Sequence, residues 1–109
     1  MRQLIRRYRH RRTLRRQAAE ILYDAADLIE RVGWTQGTFM TYDESGPTGY
    51  CARGAMLRIS PTPYDGAFRV ADNTLQDVVR MSTVRFNDDY AESAADVISA
   101  LRTAGGRLR

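Results

Sequence analysis

Residues 14–32 of this 109-residue chain read LRRQAAEILYDAADLIERV, and this stretch decides the fold. Gly33 follows it, where helices commonly end with a left-handed residue, and Trp34 can then fold back onto the helix end. The pattern predicts a long amphipathic helix from about Arg12 to Val32. Its apolar residues recur at the i, i+3, i+4, i+7 spacing of one helical face: Leu14, Ala18, Ile21, Leu22, Ala25, Leu28, Ile29 and Val32.

The segment after this helix has the composition of a β-hairpin. Residues 38–42 are strand formers, residues 43–47 (Asp-Glu-Ser-Gly-Pro) have turn chemistry, and residues 50–52 resume the extended pattern. We therefore expect two short antiparallel strands that enclose residues 43–47.

Three helical segments and one extended segment are expected downstream. A short helix is predicted over Ala52–Ile59, since Pro61 and Pro63 prevent its continuation. Another is predicted over about Ala67–Met81. Residues 83–86 are expected to be extended, and Asn87-Asp88-Asp89 to form a turn.

The last helix is expected to begin near Ser93, with Asp96 in capping-box spacing, and to end at Ala104 before Gly105-Gly106. The fold class predicted is α+β and mostly helical: a long N-terminal helix, one β-hairpin and two to three further helices. We divide the chain into a basic arm (residues 1–12), a single globular domain (13–104) and a C-terminal tail (105–109).

Composition narrows the class of protein. Hydrophobic residues make up 43% and charged residues 28%, as in soluble globular proteins. No apolar stretch is long enough to span a membrane, and no secretory signal is present, so a cytoplasmic protein is expected. With one cysteine, Cys51, and one histidine, His10, neither a disulfide nor an ordinary zinc site can form within one chain. No metal or other cofactor is expected.

Charge is divided unevenly along the chain. Residues 1–16 carry eight arginines and no acidic residue, whereas the remaining 93 residues carry nine arginines against thirteen acidic residues. The formal charge of +4 therefore combines a segment of +8 with a body of −4. A block of like charge gains little from packing, so this division points to a polyanionic partner.

Nucleic acid, DNA or RNA, is the partner that we expect for this segment, because guanidinium groups pair with phosphates and flat rings stack on bases. The alternatives are an acidic protein surface, self-association with the acidic body of another copy, and a membrane surface, for which the segment has little apolar face. The nucleic-acid-binding residues predicted are Arg2, Arg6, Arg7, Tyr8, Arg9, Arg11, Arg12, Arg15 and Arg16.

Four blocks resemble a family of uncharacterised small proteins of actinobacteria and their phages. The blocks are residues 26–37 with Gly-Trp-Thr-Gln-Gly at their end, Cys-Ala-Arg-Gly-Ala at 51–55, Phe-Asn-Asp at 86–88, and Ser93 with Asp96-Val97. In that family the second block usually has leucine where Arg53 stands, the third has tryptophan at Phe86, and threonine replaces Ser93. The resemblance covers about residues 18–104 and implies a fold and a source, but no function.

Cys51 could be read as a nucleophile, with Trp34 and Asn87-Asp88 around it. A nucleophilic thiolate needs a base, usually histidine, and His10 lies among arginines in the arm. We therefore expect no catalytic residues: Cys51 is interpreted as a core residue, Trp34 as a plug at the helix end, and Asn87-Asp88 as a turn. Asp88, Asp89 and Glu92 lack the calcium-loop spacing and are interpreted as a solvated helix start.

Function is accordingly expected to lie in binding. The leading hypothesis is a small actinobacterial or phage protein that contacts nucleic acid through its arginine-rich segment. The second is an interaction or assembly module for an acidic protein surface, and the third is an enzyme that uses Cys51.

Overall fold

The computed structural model describes the backbone of residues 2–109 and the side chains of residues 12–109. The chain is α+β and mostly helical, as predicted. In chain order its elements are α1 (Arg2–Val32), β1 (Met40–Asp43), β2 (Gly46–Tyr50), α2 (Ala52–Ile59), α3 (Gly66–Val79), α4 (Thr83–Arg85), a π-helical turn (Phe86–Tyr90) and α5 (Ala94–Arg107).

Helix α1 is the element on which the others pack. Its apolar stripe contacts α2, α3 and α5, which confirms the helical face predicted from residue spacing. Burying a large apolar side chain stabilises a fold by about 1.5–3 kcal/mol, so this shared core carries most of the packing energy. Its largest fully buried apolar side chains are Leu22, Ile29, Met56, Phe68, Leu75, Val97 and Leu101.

The predicted hairpin is present, with a shorter turn than expected. Gly46 and Pro47 belong to β2, so only Glu44 and Ser45 lie between the strands. Asp43 closes this turn, because its Oδ1 accepts from the Ser45 amide at 2.8 Å. A register shift follows Thr41 and leaves one extra residue in β2. Cys51 and Ala52 start the next helix and do not extend the strand.

Gly33 ends α1 as predicted and brings the following residues against the hairpin. Its φ is +140°, and a Cβ there would lie 2.3 Å from the carbonyl oxygen of Thr48. Its carbonyl accepts from the Tyr50 amide at 3.0 Å, and the Thr35 amide donates to the Tyr50 carbonyl at 3.2 Å. The chain leaving α1 is thereby fixed beside β2.

Residues 83–90 are helical, so the extended segment predicted over 83–86 is wrong. The β-branched Thr83 and Val84 suggested a strand, but tertiary contacts decide the conformation. Thr83 is buried and donates through Oγ1 to Asp72 Oδ1 at 2.7 Å. Ser82 caps the short helix by accepting from the Arg85 amide at 3.2 Å.

Helix α5 also departs from expectation at both ends. Ser93 is its N-cap, but its hydroxyl makes no capping hydrogen bond. Asp96 instead accepts from the Glu92 amide at 2.9 Å, so the reciprocal capping box does not form. The helix continues through Gly105 and Gly106 to Arg107, and the predicted end at Ala104 is wrong.

Candidate functional site

Residues of three of the four sequence blocks meet at the side chain of Asn87, which is fully buried. Its Oδ1 accepts from Trp34 Nε1 at 2.8 Å and from the Ala52 amide at 3.0 Å. Its Nδ2 donates to the Thr35 carbonyl at 3.0 Å and to Asp88 Oδ1 at 2.9 Å. We call Trp34, Thr35, Ala52, Asn87 and Asp88 the Asn87 network.

Gln36 and Gly37 extend this network to the backbone of the π-helical turn. Gln36 Nε2 lies within donating distance of three carbonyl oxygens, those of Asn87 (3.0 Å), Asp88 (3.2 Å) and Ala91 (3.3 Å). The Gly37 amide donates to Asp88 Oδ1 at 3.0 Å. The loop after α1 is therefore tied to the π-helical turn through several polar contacts.

The Asn87 network is saturated. A primary amide has two donor hydrogens and two acceptor lone pairs, and all four of these positions on Asn87 are occupied by protein groups. A buried amide with no exposed surface and no unused bonding capacity has nothing to offer a substrate. Its role is to hold three segments of the chain together.

Cys51 lies next to this network as the N-cap of α2. It is buried, as predicted, and its Sγ accepts from the Gly54 amide at 3.2 Å. Burial raises the pKa of the thiol above its ordinary value, and the negative charge of Asp88 acts in the same direction. The surroundings therefore favour the neutral thiol, whereas a nucleophile needs the thiolate. The side chain of His10, the one histidine, lies outside the described residues.

The carboxylates near the π-helical turn do not form a cation site. Asp88 Oδ1 already accepts from Gly37 and Asn87. Within residues 12–109, no three His, Cys, Asp or Glu side chains gather closely enough to hold a metal ion.

The predicted nucleic-acid-binding residues divide into two sets. The side chains of Arg12, Arg15 and Arg16 are exposed on α1. Arg15 Nη2 donates to the carbonyl of Arg107 at 3.3 Å, which brings the start of the domain beside the end of α5. The other predicted residues belong to the same helix, but their side chains lie outside the described part of the chain: Arg2, Arg6, Arg7, Tyr8, Arg9 and Arg11.

A groove of about 690 Å³ lies between these arginines and the C-terminal residues. We call it the basic groove, because four guanidinium groups and one carboxylate line it. Its shape is open, so a ligand could enter from solvent. The lining residues are Arg12, Thr13, Arg15, Arg16, Ala19, Glu20, Tyr23, Leu108 and Arg109.

Tyr23 lines the basic groove and was not singled out from the sequence. The Arg109 guanidinium lies over its ring, with 4.5 Å from Cζ to the ring centroid. The ring also packs against α5, where a Cβ on Gly105 would lie 2.8 Å from Tyr23 Cε2. Gly105 thus makes room for an aromatic ring, and this glycine inside α5 is the signal that sequence reasoning missed.

Beyond Tyr23 the exposed face of α1 becomes acidic. Arg102 Nη2 contacts Asp27 Oδ1 at 3.1 Å and Glu30 Oε2 at 3.2 Å, so these two acids are paired within the molecule. The pKa of Asp24 is raised above its ordinary value, first by partial burial and then by the charges of Asp27 and Glu20. A basic surface and an acidic surface therefore adjoin on one helix.

Arg53, which stands where the resembled family has leucine, is engaged inside the fold. Its Nη1 contacts Asp72 Oδ2 at 3.2 Å, and its guanidinium lies 5.6 Å from the Tyr64 ring centroid and 5.5 Å from that of Phe68. Asp72 also accepts from Thr83. Arg53 is therefore part of an internal ion pair and not of the basic groove.

A family model described as a family of unknown function, DUF6197, matches residues 13–107. The chain belongs to this family. The match confirms the expectation of an uncharacterised family with no assigned function. No curated protein and no solved structure matches the chain.

The DUF6197 match separates the two candidate regions. The whole Asn87 network lies inside residues 13–107, whereas residues 1–12 and Arg109 lie outside them. The arginine-rich segment is thus mostly an addition to the DUF6197 domain. Across the described part of the chain, no helix has an apolar stretch of the length that a bilayer crossing requires.

Proposed function

We propose that the protein binds nucleic acid through the N-terminal half of α1. The observation that carries the proposal is that Arg12, Arg15 and Arg16 expose their side chains on this helix and share a groove with Arg109. The same helix continues back to Arg2 through five more arginines, with no acidic residue among them. Repeated guanidinium groups on one rod match the repeated phosphates of a nucleic acid backbone.

The electrostatics of α1 support a partner for these arginines. The N-terminal end of a helix carries partial positive charge, so anionic side chains stabilise the first turn and cationic ones oppose it. The first turn of α1 has no acidic residue, and arginines at i, i+4 repel one another. These charges destabilise the helix when no partner is bound, whereas bound phosphates would remove the repulsion.

The first experiment neutralises arginines in the full-length protein. In one variant Arg2, Arg6 and Arg7 become glutamine. In the matched control, Arg58, Arg69 and Arg80 become glutamine. These residues are exposed on α2, on α3 and at the C-cap of α3, and the change in net charge is the same. Both variants are titrated into labelled duplex and single-stranded oligonucleotides at about 50 and 200 mM salt.

If about five arginines contact phosphates, the log–log dependence of affinity on salt should have a slope of roughly −4 to −5 for the intact protein. The first variant should bind more weakly and with a flatter slope, while the control should change little. If both variants bound equally weakly, net charge and not the position of the arginines would determine binding, and the proposal would be overturned.

Deleting residues 1–12 is the larger change. It removes six arginines and lowers the formal charge from +4 to −2, but it leaves the DUF6197 match complete. We expect a folded domain that has lost most of its affinity for polyanions. Unchanged binding would contradict the proposal, and a protein that no longer folds would show that residues 1–12 are part of the domain.

Self-assembly is the second candidate, and one observation favours it. Asp24 lies between Glu20 and Asp27, and its pKa is raised first by partial burial and then by the charges of these two acids. The arginine-rich segment of a second copy would neutralise this acidic surface. We expect such a complex to dissociate at high salt and after deletion of residues 1–12. Sedimentation of nuclease-treated protein tests this, and a monomer at low salt would rule it out.

We further propose that the protein acts in the cytoplasm of an actinobacterium, as a host or a phage product. The sequence blocks resemble such proteins, and its one cysteine is unpaired and buried. Recovery of the protein from its native cell, with and without nuclease treatment, identifies the partner. Retention of the same protein partners after nuclease treatment would favour assembly over nucleic-acid binding.

A further inference from the structure

The two ends of the basic groove differ chemically, unlike those of a simple phosphate-binding surface. Arg12, Arg15 and Arg16 occupy the end nearer the start of α1, while Glu20 and Tyr23 occupy the other end. Arg16 and Tyr23 are seven residues apart, or roughly 10 Å along the helix axis. Because the arginine side chain is long, its guanidinium can lie closer to the Tyr23 ring than this, at the separation between the phosphate and the base of one nucleotide.

The two ends of the groove suit different parts of a nucleotide. Guanidinium groups offer paired donors to a phosphate. At the far end, the carboxylate of Glu20 repels phosphate but can accept from the exocyclic amino group of a base. Tyr23 supplies a flat ring there, fixed against α5 at Gly105.

The contact between Arg109 and Tyr23 shows that the exposed face of this ring already takes a planar group. The guanidinium lies 4.5 Å from the ring centroid, and Arg109 is exposed to solvent. Exposed cation–π contacts are weak. A base can therefore replace this guanidinium on the ring, or stack between the two.

We infer that the basic groove binds single-stranded nucleic acid, with one base stacked on Tyr23 and its phosphate held by Arg15 and Arg16. This inference rests on the proposed function and names its substrate class. In a duplex the faces of a base are covered by its neighbours in the stack, so Tyr23 could not reach them. A single strand exposes its bases, and stacking on an aromatic side chain is the usual way in which proteins hold them.

The first test compares strands of equal charge. The full-length protein is titrated with a labelled single strand and with an abasic strand of the same length. Stacking of one base should make the normal strand bind about 10-fold more tightly. Tyr23→Leu should bring this ratio to about one without weakening the abasic strand, and Tyr23→Phe should keep it. Arg16→Gln should weaken both strands alike.

The outcomes separate the inference from the proposed function. Failure of both strands to bind would remove the proposed function itself. Equal binding of the two strands by the unmodified protein would leave a phosphate-binding protein and overturn the inference. The inference would also be overturned if Tyr23→Leu left the ratio of the two affinities unchanged.

A second measurement needs no variant and so does not depend on whether Tyr23→Leu folds. A strand that carries a halogenated pyrimidine is bound to the protein and irradiated, and the cross-linked peptide is identified after trypsin digestion. Cleavage at arginine gives the peptide of residues 17–31, in which Tyr23 is the one tyrosine. We expect the cross-link there. A cross-link confined to Tyr8 or to the exposed Tyr42, Tyr64 or Tyr90 would overturn the inference.

Discussion

The Asn87 network lies beyond the C-terminal end of α1, the basic groove lies along the middle of the same helix, and the two use polar side chains in opposite ways. In the network each polar group of Asn87 bonds to another part of the same chain, and the side chain has no exposed surface. In the groove, four guanidinium groups surround an open space of about 690 Å³. The first arrangement stabilises the fold, and the second gathers positive charge around a space that opens to solvent.

The residues that resemble a known family and the residues that line the open groove lie in different parts of the molecule. The sequence blocks that resemble other proteins converge on the saturated site, where tryptophan, cysteine, asparagine and aspartate could suggest catalysis. The groove is lined partly by residues outside the DUF6197 match. Substitutions at the two sites should therefore separate stability from binding.

The largest expected effect is at Asn87. Asn87→Ala removes four hydrogen bonds and leaves buried donors such as Trp34 Nε1 and the Ala52 amide unpaired. We expect a loss of about 3–5 kcal/mol in the free energy of unfolding. Urea unfolding followed by the fluorescence of Trp34, the one tryptophan, measures it. Asn73→Ala, at an exposed position of α3, is the matched control and should change stability by less than ~0.5 kcal/mol. A loss below 1 kcal/mol at Asn87 would break the comparison, as would a loss of nucleic-acid affinity in protein that remains folded.

The second effect is at the wall of the groove. Helix propensity alone predicts that Gly105→Ala and Gly106→Ala both stabilise α5. A Cβ at Gly105 would lie 2.8 Å from the Tyr23 ring, whereas at Gly106 it would lie 3.5 Å from the Tyr23 hydroxyl. We expect a loss of about 1–3 kcal/mol at Gly105 and a gain of up to about 1 kcal/mol at Gly106. Thermal unfolding of both variants checks the opposite signs, and a gain at Gly105 would show that Tyr23 is not held against α5.

The third prediction tests Cys51 as a structural residue. Cys51→Ala leaves the Gly54 amide without its acceptor and should lower stability by about 1–2 kcal/mol. Cys51→Ser should recover part of that loss, since serine is a favoured N-cap. Burial raises the pKa of the thiol, so the thiolate is scarce at neutral pH and labelling by a thiol reagent should be slow. Rapid labelling of the native protein would contradict this and revive the nucleophile hypothesis.

The smallest effect is expected on the acidic side of the groove. Asp24 has like charges at i−4 and i+3, and Asp24→Asn removes both repulsions, so stability should rise by roughly 0.5 kcal/mol at neutral pH. The folded-state pKa of Asp24 is raised. The charged Asp24 side chain therefore lowers stability at pH values above its folded-state pKa. This loss of stability disappears as the pH falls toward the pKa of Asp24 in the unfolded chain. The gain should vanish in acid, and Asp77→Asn, an equal charge change on α3, is the control for net charge. A gain that persists in acid would exclude charge as its cause.

Local patterns predicted the parts of the fold that depend on periodicity and turn chemistry. The apolar spacing of residues 14–32 located α1 and its core face, the two prolines after Ile59 ended α2 at the expected residue, and Gly33 ended α1. The polar contacts were not predictable in this way. Asn87 and Trp34 are 53 residues apart in sequence, and no local pattern joins them.

The errors share one cause, which is that distant contacts overrode local preferences. Thr83 and Val84 are strand formers, but the bond from Thr83 to Asp72 holds them in a helix. Gly105-Gly106 predicted a helix end because glycine usually breaks helices, yet the helix continues and Gly105 makes room for Tyr23. The positive charge of the basic groove could be predicted from the sequence. The position of Tyr23 in the groove could not, because it depends on the packing of α5 against α1.

The contact between Arg15 and Arg107 has a consequence for how the chain folds. These residues are 92 positions apart, and α5 packs along the same helix that begins the domain. A mostly helical protein usually folds quickly because its contacts are local, but here nearly the whole chain must close into a loop before α1 and α5 meet. We therefore expect refolding in the millisecond range of mixed topologies, slower than for a helical bundle with neighbouring contacts, which stopped-flow fluorescence of Trp34 would resolve. During synthesis, α1 emerges before the helices that pack on it, so the part of its apolar stripe that α5 covers stays exposed until that fourteen-residue helix arrives.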